Sequence, residues 1–204
     1  MFLTSSLALA TALATALPFC GCHGYQYPFQ DPSLDWMKRV DDLVGRLTIE
    51  EVVNQSIADY SHPVVAIPRL GIKPYVWITE CLHGQANTNT TAFPQSLGLA
   101  ATFSTELMHN VSEAISIEVR ARWNHNKAQG IYKNFNGLSC FAPVVNILRH
   151  PLWGRNQETY GEDPYLTGQI ATAYVQGLQG SHPRYARVTA GCKHFAAYDG
   201  PENI

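Results

Sequence analysis

Charge is scarce in this sequence: only 15% of its 204 residues are charged, and Lys+Arg 14 against Asp+Glu 16 leaves a net charge of −2. There is no basic block and no positive balance, so neither nucleic acid nor an anionic membrane surface is expected as a partner. The apolar run Leu7–Leu17 falls short of the roughly 20 residues that cross a bilayer. There is no HExxH, and cysteines at 20, 22, 81, 140 and 192 have the wrong spacing for zinc. No metal and no cofactor are therefore expected, despite eight histidines. Internal repeats are absent too.

The uncharged start is informative. Residues 1–19 carry no charged side chain and are rich in Leu, Ala and Thr. The pattern fits a secretory signal peptide over residues 1–22, although no Lys or Arg follows Met1. The mature chain is then expected to be secreted and extracellular. Loss of Cys20 and Cys22 leaves three cysteines, an odd number that argues against a disulfide framework complete within the chain. Cys81, Cys140 and Cys192 read as small buried residues in or beside strands. Asn54, Asn89 and Asn110 each open an Asn-x-Ser/Thr tripeptide and are glycosylation candidates, Asn89 foremost because it lies in a polar run.

After a Pro- and aromatic-containing lead-in (23–34), residues 35–204 read as one domain. A helix from about Leu34 puts Trp36, Val40, Leu43, Val44 and Leu47 on one face. Thr48 and Glu51 form a capping box for a second helix. Residues 72–80, 138–148 and 187–199 read as strands. Between them lie a long helix capped by Ser104 or Thr105 and a helix over 164–179, started by Asp163-Pro164 and stopped by Gly180. Strands alternating with helices predict an α/β fold with parallel pairing.

Chemistry-bearing residues cluster where each predicted strand ends. Glu80 and His83 follow the first; Arg149, Arg155 and Glu158 follow the second; Lys193 and His194 end the third. In a parallel sheet such ends converge on one face and share a pocket. Cations beside carboxylates, with aromatic rings close in sequence, suit a neutral polyhydroxylated ligand. Taken singly, each cluster also reads as an ordinary ion pair or strand end.

At these residues the chain resembles glycoside hydrolase family 3, the secreted β-glucosidases and β-xylosidases. The pieces that carry the likeness are LTIEEVVNQ (47–55), TECLHG (79–84), FPQSLGLAATF (93–103), APVVNILRHPLWGRNQETYGEDP (142–164) and CKHFAAYDGPEN (192–203). Glu80 in TECLHG and the HPLWGRNQETYGEDP stretch lean to the β-xylosidase-like branch. The resemblance implies the amino-terminal part of a (β/α)8 TIM-type barrel, with about three of eight strands present, and further carboxyl-terminal domains in the full protein. It implies retaining hydrolysis of terminal β-linked xylose or glucose in plant-type oligosaccharides. Glu80, Arg155, Lys193 and His194 would bind sugar hydroxyls, with His83, Arg149 and Glu158 as a supporting shell. The family's nucleophile, an Asp, and its acid/base belong to later segments. No catalytic residue is therefore expected in this chain, and the chain alone is expected to be inactive. The alternative is a non-catalytic carbohydrate-binding protein.

Overall fold

The computed structural model describes residues 24–57, 63–86 and 89–201. The expected signal peptide, residues 1–22, lies outside the described residues. The chain divides into two compact units, residues 1–47 and 48–204.

In the first unit, helix α1 (Trp36–Arg46) starts at Asp35, whose carboxylate accepts from the Met37 and Lys38 backbone N–H groups. These are two of the donors that a helix start leaves without partners. Asp42 accepts from Arg46 one turn on at 2.7 Å and from the Phe29 N–H at 3.1 Å, tying the lead-in to the helix. The apolar face expected to be core is not: no residue of α1 is buried, and Trp36 is 69% exposed. The short lead-in within this unit offers too little surface to cover that stripe.

In the second unit, α2 (Ile49–Ser56) begins with the expected capping box: Thr48 Oγ1 accepts from the Glu51 N–H and Glu51 accepts from the Thr48 N–H. Then come β1 (Ile78–Thr79), α3 (Ser96–Ala100), α4 (Thr105–Ala128), β2 (Ser139–Cys140), α5 (Pro164–Gln179) and β3 (Thr189–Ala190). The strands form one parallel sheet in chain order, with Ile78 opposite Ser139 and Ser139 opposite Thr189. An α/β fold with parallel strands is thus present.

The strands are shorter than their sequence pattern predicts. Regular pairing covers two residues in each, although 141–145 and 191–193 continue side by side, with Lys193 N–H donating to Pro143 O at 3.0 Å and Val145 N–H to Lys193 O at 2.8 Å. Pro74 and Pro143 have no N–H to give to a ladder. Farther on, Ala196 and Ala197 take left-handed φ of 52° and 57°, which ends the third extended segment.

The core lies between the sheet and helices α4 and α5. Met108, Val111, Ile115 and Val119 of α4 join Ile170, Ala173, Tyr174 and Leu178 of α5 in one buried cluster. Each large apolar side chain so buried stabilises by roughly 1.5–3 kcal/mol. The helices touch backbone to side chain at Gly177: a Cβ there would lie 2.0 Å from Ser112 Oγ and 2.4 Å from His109 O. Arg187 closes the carboxyl end of α5, donating to Gly177 O at 3.2 Å, Ser116 Oγ at 2.7 Å and Glu113 at 3.1 Å.

The cysteines depart from expectation. Cys81 and Cys140 are fully buried, as read, but they are joined in a disulfide with Cα atoms 5.4 Å apart, whereas Cys192 is free and exposed. The odd count is one pair and one remainder. In the chain-entropy account, closing a loop of 59 residues is worth about 4 kcal/mol.

Gly177→Ala should lower the melting temperature measured by circular dichroism. Alanine gains about 1 kcal/mol of helix propensity, but overpacking against the fixed His109 carbonyl costs roughly 1–3 kcal/mol. An unchanged or higher melting temperature contradicts the close approach.

Candidate functional site

Because β1, β2 and β3 run the same way, the residues that follow them meet at one end of the sheet. A cleft of about 320 Å³ opens there, lined by Glu80, His83, Gly84, Arg155, Glu158 and Lys193 among others.

Glu80 directly follows β1. Its carbonyl accepts from the Ala86 N–H at 2.9 Å, so the chain turns back beside it. Lys193, three residues past β3, places Nζ 2.9 Å from Glu80 Oε2, with the two side chains 14% and 30% exposed. The second pair sits on the loop after β2. Arg155 donates to Glu158 through Nε at 2.7 Å and Nη2 at 2.6 Å. The turn Asn156–Glu158 brings the two together, because side chains three apart share one side of a helical turn. The bidentate bond to Glu158 raises the Arg155 pKa above its ordinary value against the opposing effect of burial. The Tyr198 ring lies 5.8 Å from the guanidinium.

The wall at 83–93 is pinned at both ends. His83 Nδ1 lies 3.0 Å from Phe93 O, and the Phe93 N–H donates to His83 O at 2.7 Å. Gly84 has φ 126°, and a Cβ on it would fall 2.3 Å from Thr91 O, so a residue without a side chain is required. Thr91 in turn donates from its N–H and Oγ1 to Glu118 of α4, at 3.0 and 2.7 Å.

The structure therefore gathers Glu80, His83, Arg155, Glu158 and Lys193 around one cleft. His194 and Arg149 do not line it. The His194 N–H donates to Asn146 Oδ1 at 2.7 Å, with its ring Nδ1 3.1 Å from the same oxygen, and its ring meets Tyr198 edge-on at 4.9 Å. Arg149 pairs with Asp199 at 3.4 Å, and Asp199 also accepts from the His150 N–H. Sequence reasoning passed over Asn146, Tyr198 and Asp199. Asn146 was visible as the one polar residue inside FAPVVNIL; Tyr198 and Asp199 stand inside CKHFAAYDGPEN, one of the stretches that carry the family likeness. The three tripeptide asparagines are all exposed, Asn54 on α2, Asn110 on α4 and Asn89 in a bend beside the cleft.

Chemically, the cleft alternates charge-assisted donors with carboxylate acceptors. Lys193 offers three N–H groups and spends one on Glu80; each carboxylate oxygen keeps further lone pairs. Such a set binds hydroxyls, which both donate and accept. Among the described residues no group of three His, Cys, Asp or Glu side chains is placed to hold a metal ion.

Comparison with known proteins meets this geometry. The profile of the glycosyl hydrolase family 3 N-terminal domain matches residues 40–203. A xylan 1,4-β-xylosidase of Xylanibacter ruminicola is 43% identical over 96% of the chain, which covers 22% of that protein. Beta-D-xylosidase 3 of Arabidopsis thaliana is 40% identical over 84% of the chain and 22% of its own length. Among solved structures, a family 3 exo-β-xylosidase in complex with a xylobiose aziridine activity-based probe superposes with a TM-score of 0.71 at 32% identity, over 84% of this chain and 22% of that one. The chain thus spans about a fifth of the length of these proteins, and the three-stranded sheet corresponds to part of a barrel. With the profile matching most of its length and the parallel strand ends arranged as described, this chain belongs to glycosyl hydrolase family 3.

Proposed function

We propose that the protein containing this chain is a secreted retaining glycosidase that removes terminal β-linked xylose from oligosaccharides, and that the cleft holds the sugar next to the scissile bond. The observation that carries the reading is the cleft itself: Lys193–Glu80 and Arg155–Glu158, delivered by three different strand ends, face one space. The β-xylosidase names of the relatives favour xylose over glucose. Lys193, Arg155 and Glu80 bind hydroxyls directly. Glu158 fixes the Arg155 fork, His83 holds the loop wall, and His194 and Arg149 act from the adjoining layer through Asn146, Tyr198 and Asp199.

Retaining hydrolysis needs two carboxyls about 5 Å apart, one as nucleophile and one as acid/base. Glu80 is read as a sugar-binding group and Glu158 as the support of Arg155, so the catalytic pair is assigned to the part of the protein that this chain does not span. The full-length protein should release aryl alcohol from an aryl β-xyloside, and the purified 204-residue chain should not. A full-length protein inactive on all β-glycosides would overturn the reading; turnover by the short chain would overturn the placing of the catalytic pair.

Within the full-length protein, Lys193→Ala and Arg155→Ala should each lower kcat/KM by about 10- to 100-fold, the size of a lost hydrogen bond from a charged donor at roughly 1.5–3 kcal/mol. Their melting temperatures should move little, because both side chains are partly solvated. Wild-type kinetics in either variant removes that residue from the site.

The reading of secretion extends to modification. Asn89 lies in an exposed bend, whereas Asn54 and Asn110 are held within helices. A glycosylating host should attach one N-glycan here. The glycosidase-sensitive gel shift should vanish in Asn89→Gln and persist in Asn54→Gln and Asn110→Gln; a shift unaffected by Asn89→Gln refutes this assignment.

A further inference from the structure

Glu80 stands just beyond the last paired residue of β1, Thr79, where the sheet no longer fixes the backbone. Three tethers take over. The Glu80 carbonyl accepts from the Ala86 N–H at 2.9 Å. The Cys81 side chain is joined to Cys140, the last residue of β2. The Cys81 carbonyl accepts a hydrogen bond from the hydroxyl of Tyr174, which reaches it from α5 across 93 residues of sequence.

The third tether is the unexpected one. Tyr174 is 1% exposed, in a cluster built of aliphatic side chains, Met108, the Cys81–Cys140 pair and one other phenol, Tyr160. For packing alone a phenylalanine would serve there, and a buried hydroxyl is costly unless it is bonded. Its bond goes to the one peptide carbonyl that lies between Glu80 and the 82–86 turn. Burial pushes the Tyr174 pKa well above its ordinary value, so the phenol keeps its proton and stays a donor. The backbone on the far side of Glu80 is fixed as well, since Thr79 Oγ1 donates to Phe135 O at 2.9 Å.

We infer that Tyr174 is a positioning residue for Glu80: its hydroxyl, with the Cys81–Cys140 bridge, holds the Glu80 carboxylate where it meets Lys193. The sugar-binding role of Glu80 rests on the function proposed above; the positioning of Glu80 against Lys193 does not. Tyr174 touches no substrate and acts only through the Cys81 peptide.

The test is a double-mutant cycle in the full-length protein, read as kcat/KM on an aryl β-xyloside. Tyr174→Phe should lower it about five- to tenfold, the size of one buried neutral hydrogen bond. In a Glu80→Gln background the same change should have less than about a twofold effect, because interacting residues are not additive. An equal loss in both backgrounds marks a general structural role and overturns the inference, as does no loss in either. If the wild-type protein shows no turnover, the proposed function fails by itself. The crystal structure of Tyr174→Phe then decides the inference: a Glu80–Lys193 separation beyond hydrogen-bond reach supports it, and one kept at 2.9 Å overturns it. Should Tyr174→Phe not fold, Cys140→Ala, which releases the other tether of Cys81, is taken through the same cycle: a loss confined to the Glu80 background supports the inference, and an equal loss or none overturns it.

Discussion

Everything at the cleft depends on one constraint, the parallel register that sets Ile78 beside Ser139 and Ser139 beside Thr189. Parallel strands send their following residues out at the same edge. Glu80 is two residues past Ile78, and Lys193 is four past Thr189. A slip of one residue would turn every side chain of the slipped strand to the opposite face of the sheet and separate the pair. The register is therefore secured by more than its short ladder. The disulfide links the ends of β1 and β2, and the side-by-side run of 141–145 with 191–193 extends the contact between β2 and β3.

Behind the sheet, α4 and α5 supply rigidity by close approach and by one cation that bridges them. Gly177 lets the helices meet at Ser112, and Arg187 ties α5 to α4 through Ser116 and Glu113. The same helices reach toward the cleft at two points, Glu118 to Thr91 in the loop wall and Tyr174 to Cys81. In a chain so sparing of charge, three ion pairs lie at or beside the cleft: Arg155 with Glu158, Lys193 with Glu80, Arg149 with Asp199.

Much of this was legible in the residues because the signals were local. Asp163-Pro164 and Gly180 bound α5, the Thr48 and Glu51 capping box starts α2, and the helical spacing of Met108, Val111, Ile115 and Val119 marks the buried face of α4. The order of elements and the converging strand ends followed from alternation of strand and helix. What stayed hidden was non-local. Pairing of Cys81 with Cys140 depends on which two strand ends lie side by side, a fact no spacing encodes. Tyr174 stayed hidden as well, since sequence does not show where a hydroxyl points. The extent of the strands was overestimated because apolar runs continue through Pro74 and Pro143, where ladders cannot. The Trp36 stripe of α1 has the spacing of a buried face, yet none of α1 is buried, and Trp36 and Val44 are exposed.

The strand order of the sheet is simply the order of the chain, β1, β2, β3. As the polypeptide leaves the ribosome, each new strand therefore finds its neighbour already synthesised, and none has to wait for a later one to be inserted between it and its predecessor. Helices α4 and α5, which follow β1 and β2, emerge in time to cover the face just made. Growth of this kind is by accretion: each strand added in turn becomes the border on which the next one pairs, while the opposite border, β1, keeps the place it took first.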